Sequence, residues 1–145
     1  LTVATEAPDR PMATCLFLIC HAPLASALHA VACHGFGRRL DEVEVIDVLA
    51  SQSPEQVERQ ITSRWEALGS PAEVLLLTDL AGATPANGIA RWLRHHPGQG
   101  LAAASLPTLL RALTYKDLDA GSLHQKLCAS EHDSCCTISG QVDPA

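Results

Sequence analysis

The sequence predicts an α/β domain: a doubly wound, mostly parallel sheet of about four strands, with helices on both faces. Three observations carry this. Apolar runs at Thr14–Cys20 and Glu73–Thr78 read as strands buried within the sheet, and Glu42–Val48 is a further β-rich run between them. Segments of helical spacing with cap signals alternate with them. The chain has 145 residues, about one domain's length, and no repeat or linker divides it. The expected order is β-α-β-α-β-α-β-α, the pattern of a parallel sheet wound on both sides.

The elements follow in order. Thr14–Cys20 is the first strand, and His21 ends it. Leu24–Cys33 is a helix, with Leu24, Leu28 and Val31 at helical spacing and Pro23 suited to a first turn. His34-Gly35-Phe36-Gly37 reads as a glycine-rich C-cap rather than an oxyanion loop. Glu42–Val48 is the second strand. Ser53-Pro54-Glu55-Gln56 opens the next helix, with Ser53 as cap, Pro54 at the first position and Gln56 closing a capping box. Val57, Ile61, Trp65 and Leu68 share one face of that helix, and Gly69 stops it. Glu73–Thr78 is the third strand. Thr84-Pro85 caps a helix running to about Arg94. Leu101–Ala104 is a fourth strand, weak in β-branched residues. Pro107 opens a short helix through Leu113, and Leu118–Leu127 forms the last. Residues 1–11 read as a leader or an upstream mis-start, 12–129 as the domain, and 130–145 as a tail without periodicity.

Composition excludes several functions. Ten Lys+Arg stand against 16 Asp+Glu, a net charge of −6. An acidic chain without a basic run is a poor ligand for nucleic acid or an anionic membrane. Aromatics at 3% leave no platform for stacking bases. Met12–Cys33 imitates a signal peptide, but His21 and Pro23 interrupt the apolar run, which is too short to span a bilayer. Of the six cysteines, Cys15, Cys20 and Cys33 lie in apolar stretches and Cys128, Cys135 and Cys136 near the end, with no C-x-x-C pair. They are expected to be free thiols in a reducing compartment, with Cys135-Cys136 the most open to oxidation.

Chemistry concentrates where ligands bind in open α/β sheets, just past the strand ends. The residues there are His21, Asp79 and Ser105. His21 ends a buried strand and precedes a helix N-terminus. Asp79 ends the third strand; strands one and three are often adjacent, so the two side chains can meet. An aspartate fixes a histidine's tautomer and raises its basicity. Gly82-Ala83-Thr84-Pro85 makes a tight turn into a helix, with N–H groups available to a phosphate. The residues alone therefore point to a histidine nucleophile meeting a phosphoryl group. Other histidines have blander readings: His95-His96 complement a helix end, and His29, His34 and His124 are surface or packing residues. Cys128, His132, Cys135 and Cys136 match no common zinc spacing, so no metal site is expected.

Three blocks carry a resemblance. Phe17-Leu18-Ile19-Cys20-His21, then Leu24-Ala25-x-Ala27-Leu28, resembles the opening of the mannose-type (fructose-subfamily) IIA components of the bacterial phosphoenolpyruvate:sugar phosphotransferase system. Leu76-Leu77-Thr78-Asp79-Leu80-x-Gly82-x-Thr84-Pro85-x-Asn87 is similar to their Asp-Leu-x-Gly-Gly-Thr-Pro-x-Asn signature. Ser105-Leu106-Pro107-x-Leu109-Leu110 is similar to their Asn-Leu-Pro-x-Leu segment. The blocks fall in the family's order across about Met12 to Leu113. Ala22, Ala83 and Ser105 depart from the pattern's Gly, Gly and Asn, and an alanine at the first two narrows the available φ.

The resemblance implies that His21 is phosphorylated and Asp79 hydrogen-bonds it, while Gly82, Ala83, Thr84 and Ser105 lie beside the phosphate. It further implies a homodimeric cytoplasmic phosphotransferase without metal or cofactor. Phospho-HPr would donate, a IIB component would accept, and membrane contact would run only through IIC and IID partners. Three alternatives stay open: a regulatory IIA-like protein read by a partner, a dihydroxyacetone-kinase phosphodonor, and a metal-dependent hydrolase using His21 and Asp79.

Overall fold

The computed structural model describes residues 13–129 together with 137, 138 and 140. The expected leader (1–11) and most of the expected tail, including His132, Cys135 and Cys136, lie outside the described residues. Four strands form one all-parallel sheet: β1 (Cys15–His21), β2 (Val43–Val48), β3 (Val74–Thr78) and β4 (Gln99–Leu101), in the order β2-β1-β3-β4. Five helices cover it: α1 (Leu24–Phe36), α2 (Pro54–Ala67), α3 (Thr84–Leu93), α4 (Leu106–Thr114) and α5 (Ala120–Cys128).

Strand alternation sorts the core into two layers. Leu16, Leu18 and Cys20 of β1, with Val43, Leu75 and Leu77, face α1, α4 and α5. Phe17 and Ile19, with Ile46, Val48, Val74 and Leu76, face Val57 and Ile61 of α2 and Ile89 and Trp92 of α3. Each fully buried aliphatic side chain contributes about 1.5–3 kcal/mol. Central β1 and β3 are apolar on both faces for this reason. At the far end of the α2–α3 layer, the Trp92 ring stacks on His96 with centroids 4.4 Å apart, and Trp65 meets both edge-on. Trp65 Nε1 donates to Pro71 O at 2.8 Å.

Local signals account for most boundaries. At α2 the capping box forms as expected: Ser53 Oγ accepts from Gln56 N at 3.2 Å, and Gln56 Oε1 from Ser53 N at 2.8 Å. α1 runs one turn longer than expected, through Gly35 to Phe36, and Gly37 ends it with a left-handed φ of 66°. Its core face is Ala25 and Ala32, with Leu28 and Cys33 half-buried, whereas Leu24 and Val31 are exposed. α3 is capped at Ala83, so Thr84 and Pro85 are its first two residues rather than its cap. β4 lies at Gln99–Leu101, earlier than the expected Leu101–Ala104. Its register against Leu75–Leu77 sets that position, and Ala103 turns left-handed (φ 63°), which ends the extended chain. Asp119 caps α5, which therefore starts at Ala120 rather than Leu118. Cys15, Cys20, Cys33 and Cys128 are free thiols.

The α2–α3 contact relies on Gly88, which is buried against Val57 and Pro54. A Cβ there would collide with the β-branched Val57 side chain and come 3.2 Å from Pro54 O. Gly88→Ala is expected to destabilise by about 1–3 kcal/mol, the usual cost of overpacking. A lower thermal midpoint would show it. An unchanged midpoint would mean that α2 and α3 are not held at this distance.

Candidate functional site

His21 is the last residue of β1, opposite Val48 in register. It shares the period-two register of Phe17 and Ile19, which places it on the α2–α3 side of the sheet. Asp79 follows the last residue of β3. Its carboxylate accepts four hydrogen bonds. Oδ2 takes His21 Nδ1–H at 2.8 Å and His21 N–H at 3.2 Å. Oδ1 takes Leu80 N–H at 3.0 Å and the Thr78 hydroxyl at 3.3 Å. The His21 side chain is 47% exposed and that of Asp79 only 14%, so the histidine is accessible and its partner sheltered.

Burial pushes the Asp79 carboxyl up, but the hydrogen bonds from the His21 ring and backbone and from its own loop together draw it below its ordinary value. A carboxylate only accepts. Neutral His21 therefore carries its proton on Nδ1, and the Nε2 lone pair has no partner among the described residues. Next to it, Cys20 is buried, and its thiol is pushed up to about 12 by burial and by the charges of Asp79 and Asp47. It stays protonated and is a poor competitor for an electrophile.

The other expected site residues lie at the same sheet edge. Gly82 takes φ 80°, a left-handed value that favours glycine. Ala83 is extended (φ −93°), and neither it nor Ala22 has positive φ, so alanine meets no conformational penalty at either departure. No side chain caps α3 and no acid lies in its first turn. The N–H groups of Thr84 and Ala86 therefore have no partner among the described residues, as helix N-termini leave them. Asn87 Nδ2 donates to Gly82 O at 3.4 Å and braces the turn. Ser105 caps α4, its hydroxyl 3.4 Å from Thr108 N and 3.1 Å from Thr108 Oγ1. His29, His96 and His124 take packing or helix-end positions: His29 Nε2–H donates to Leu40 O, His96 Nδ1–H to Trp92 O, and His124 lies beside Cys128. Among the described residues, no group of three or more His, Cys, Asp or Glu gathers to hold a metal.

Two features are absent from the sequence reading. Leu24, Leu49 and Leu80, at 37%, 57% and 60% exposure, follow the ends of β1, β2 and β3 and flank His21. Asp47 sits on β2 opposite Cys20 and bonds Ser26 in the first turn of α1.

The family model described as PTS system fructose IIA component matches residues 15–127. The chain belongs to that family. Its components carry phosphoryl groups in the sugar phosphotransferase system, so this chain is a phosphoryl carrier of that system. Phosphotransfer is its reaction class, and membership implies interaction with HPr and IIB components in general.

The fold agrees. The structure is similar to a mannose/sorbose-specific IIA subunit from Enterococcus faecalis, with TM-score 0.79 and 19% identity, over 92% of this chain and 100% of that one. It is similar to a phosphotransferase system component EIIA from Streptococcus agalactiae, with TM-score 0.71 and 20% identity, over 84% and 95%. A third similar structure is the PTS IIA protein associated with the fucose utilization operon of Streptococcus pneumoniae. Its TM-score is 0.64 at 21% identity, over 82% and 93%.

The Asp79 carboxyl sits below its unfolded-state value. The stabilisation it gives is thus complete above the unfolded pKa, about 3.9, and is lost as pH falls through the lower folded value. Wild type is expected to be more stable than Asp79→Asn at pH 7, with the gap narrowing below about pH 4. Denaturant unfolding from pH 2 to 7 measures this. A gap independent of pH would mean that the carboxylate is not hydrogen-bonded to His21 in the folded state.

Proposed function

We propose that His21 carries the phosphoryl group on Nε2, receiving it from phospho-HPr and passing it to a IIB component. The observation that supports this most is the 2.8 Å contact of Nδ1 with Asp79, which leaves Nε2 as the free nucleophile. The Nε2 lone pair attacks phosphorus in line, the P–N bond of the donor breaks, and the donor imidazole leaves with that electron pair. His21 keeps its Nδ1 proton, and Asp79 offsets the positive charge that develops on the ring. In this proposal the turn at Gly82, Ala83 and Thr84 supplies backbone donors to the phosphate, with Ser105 in the next loop. The leucines around His21 support a protein partner.

The family match does not favour the regulatory and dihydroxyacetone-kinase alternatives. The proposal also places the chain in the cytoplasm, where the membrane is reached only through IIC and IID partners. No helix among the described residues is long and apolar enough to cross a membrane.

Incubation with phosphoenolpyruvate, enzyme I and HPr is expected to add one acid-labile phosphate at His21 and none to His21→Ala. Phosphate persisting in that variant would overturn the assignment. A charge-assisted hydrogen bond contributes about 1.5–3 kcal/mol, so Asp79→Asn is expected to slow transfer by roughly one to two orders of magnitude. Stopped-flow transfer from phospho-HPr measures it, and a wild-type rate would return Asp79 to a structural role.

We further propose a homodimer, supported by Val31 and Phe36, which α1 leaves exposed. Light scattering at micromolar concentration is expected to give twice the 15.4 kDa chain mass. A stable monomer would refute this.

A further inference from the structure

The last two residues of β2 both grip the junction between β1 and α1. Val48 does so through its backbone, its carbonyl accepting from Ala22 N at 2.9 Å. Asp47 does so through its side chain: Oδ1 accepts from Ser26 N at 3.1 Å, and Oδ2 from the Ser26 hydroxyl. Among the described residues, α1 has no other side-chain cap at this end. Its N-cap is Pro23, no side chain of its own caps it, and its first turn holds no acid. Asp47 is therefore the cap of α1, delivered from a neighbouring strand.

A carboxylate is out of place here on sheet grounds. The same-face pairs Leu16–Val43 and Leu18–Val45 are apolar, and Cys20–Asp47 continues that row. An aspartate within a strand opposes both propensity and pattern, and such conflicts concentrate at functional sites. Capping alone has a simpler solution, which α2, α4 and α5 use: Ser53, Ser105 and Asp119 cap their own helices. What a cap from β2 adds is a rigid tie between the first turn of α1 and the sheet beside His21. Only Ala22 and Pro23 separate His21 from α1. A shift of that turn is therefore passed directly to the histidine.

We propose that Asp47 is a positioning residue for phosphoryl transfer, fixing the first turn of α1 so that His21 holds Nδ1 on Asp79 and leaves Nε2 free. The inference rests on the phosphohistidine reading above and extends it to a residue that touches neither the ring nor the phosphate. Misplacement of a reacting group by about 1 Å is enough to cost a hundredfold in rate, so even a partial loosening is measurable.

The test uses the full chain with 15N-labelled histidine. Wild-type His21 is expected to show one neutral tautomer, with the proton on Nδ1. Asp47→Ala is expected to show a mixture and to transfer phosphate from phospho-HPr about tenfold more slowly, with the KM for phospho-HPr unchanged. Asp47→Asn keeps an oxygen for Ser26 N and is expected to restore both properties. Should Asp47→Ala not fold, Ser26→Ala removes the hydroxyl half of the clamp and is expected to shift the tautomer in the same direction. A single tautomer with wild-type kcat in the clamp variant that folds, even at a lower Tm, would make Asp47 a stabilising cap only and overturn the proposal. The tautomer measurement needs no donor protein. Failure of HPr to phosphorylate His21 would therefore sink the carrier reading while the spectrum still decides the role of Asp47.

Discussion

Everything at the site depends on β1 being hydrogen-bonded along both flanks. β2 holds it from Leu16 to His21, and β3 from Cys15 to Ile19. Because all strands are parallel, their carboxyl ends open on one edge, and the residues that follow them are gathered there. Asp79 leaves β3 at the level where β1 reaches Cys20, and its carboxylate reaches forward to take both N–H groups of His21. Two further donors, Leu80 N and Thr78 Oγ1, hold the other oxygen. The imidazole is thus oriented before any phosphoryl group arrives, the condition under which electrostatic stabilisation is most effective.

Much of this was legible from the chain alone, for identifiable reasons. Strands buried on both faces must be apolar throughout, so β1 and β3 announced themselves, while β2 was marked by its valines and isoleucine, and a polar residue ending an apolar run stood out as His21 or Asp79. β4 was misplaced because its position comes from pairing with β3. Ala102 and Ala103 are as apolar as strand residues, yet the chain leaves the sheet there and bends at Ala103. The glycine in the last turn of α1 concealed one further turn of helix. Leu24 and Val31 kept helical spacing and still faced outward, because the narrow approach to the sheet is made by Ala25 and Ala32. Asp47 was illegible for a different reason. A cap that crosses from one strand to the helix after its neighbour is defined by register, which no local pattern encodes.

The departures from the family signature are also resolved by backbone geometry. Glycine is retained at Gly82, where φ is 80°, and replaced at Ala83, where the chain is extended. The chain keeps the residue that its conformation requires and relaxes the one that it does not.

Both tryptophans belong to a single aromatic stack, Trp65 against Trp92 and His96, close to the C-terminal ends of α2 and α3. Those helices run back from the carboxyl edge of the sheet, so the stack lies at the opposite end from His21. The chain's tryptophan fluorescence is consequently a gauge of whether the α2–α3 layer is intact, read from the end of the sheet away from the nucleophile. An emission signal for phosphate traffic is better taken from an indole placed on purpose at the other edge, with Leu49 or Leu80 as the natural positions to carry it.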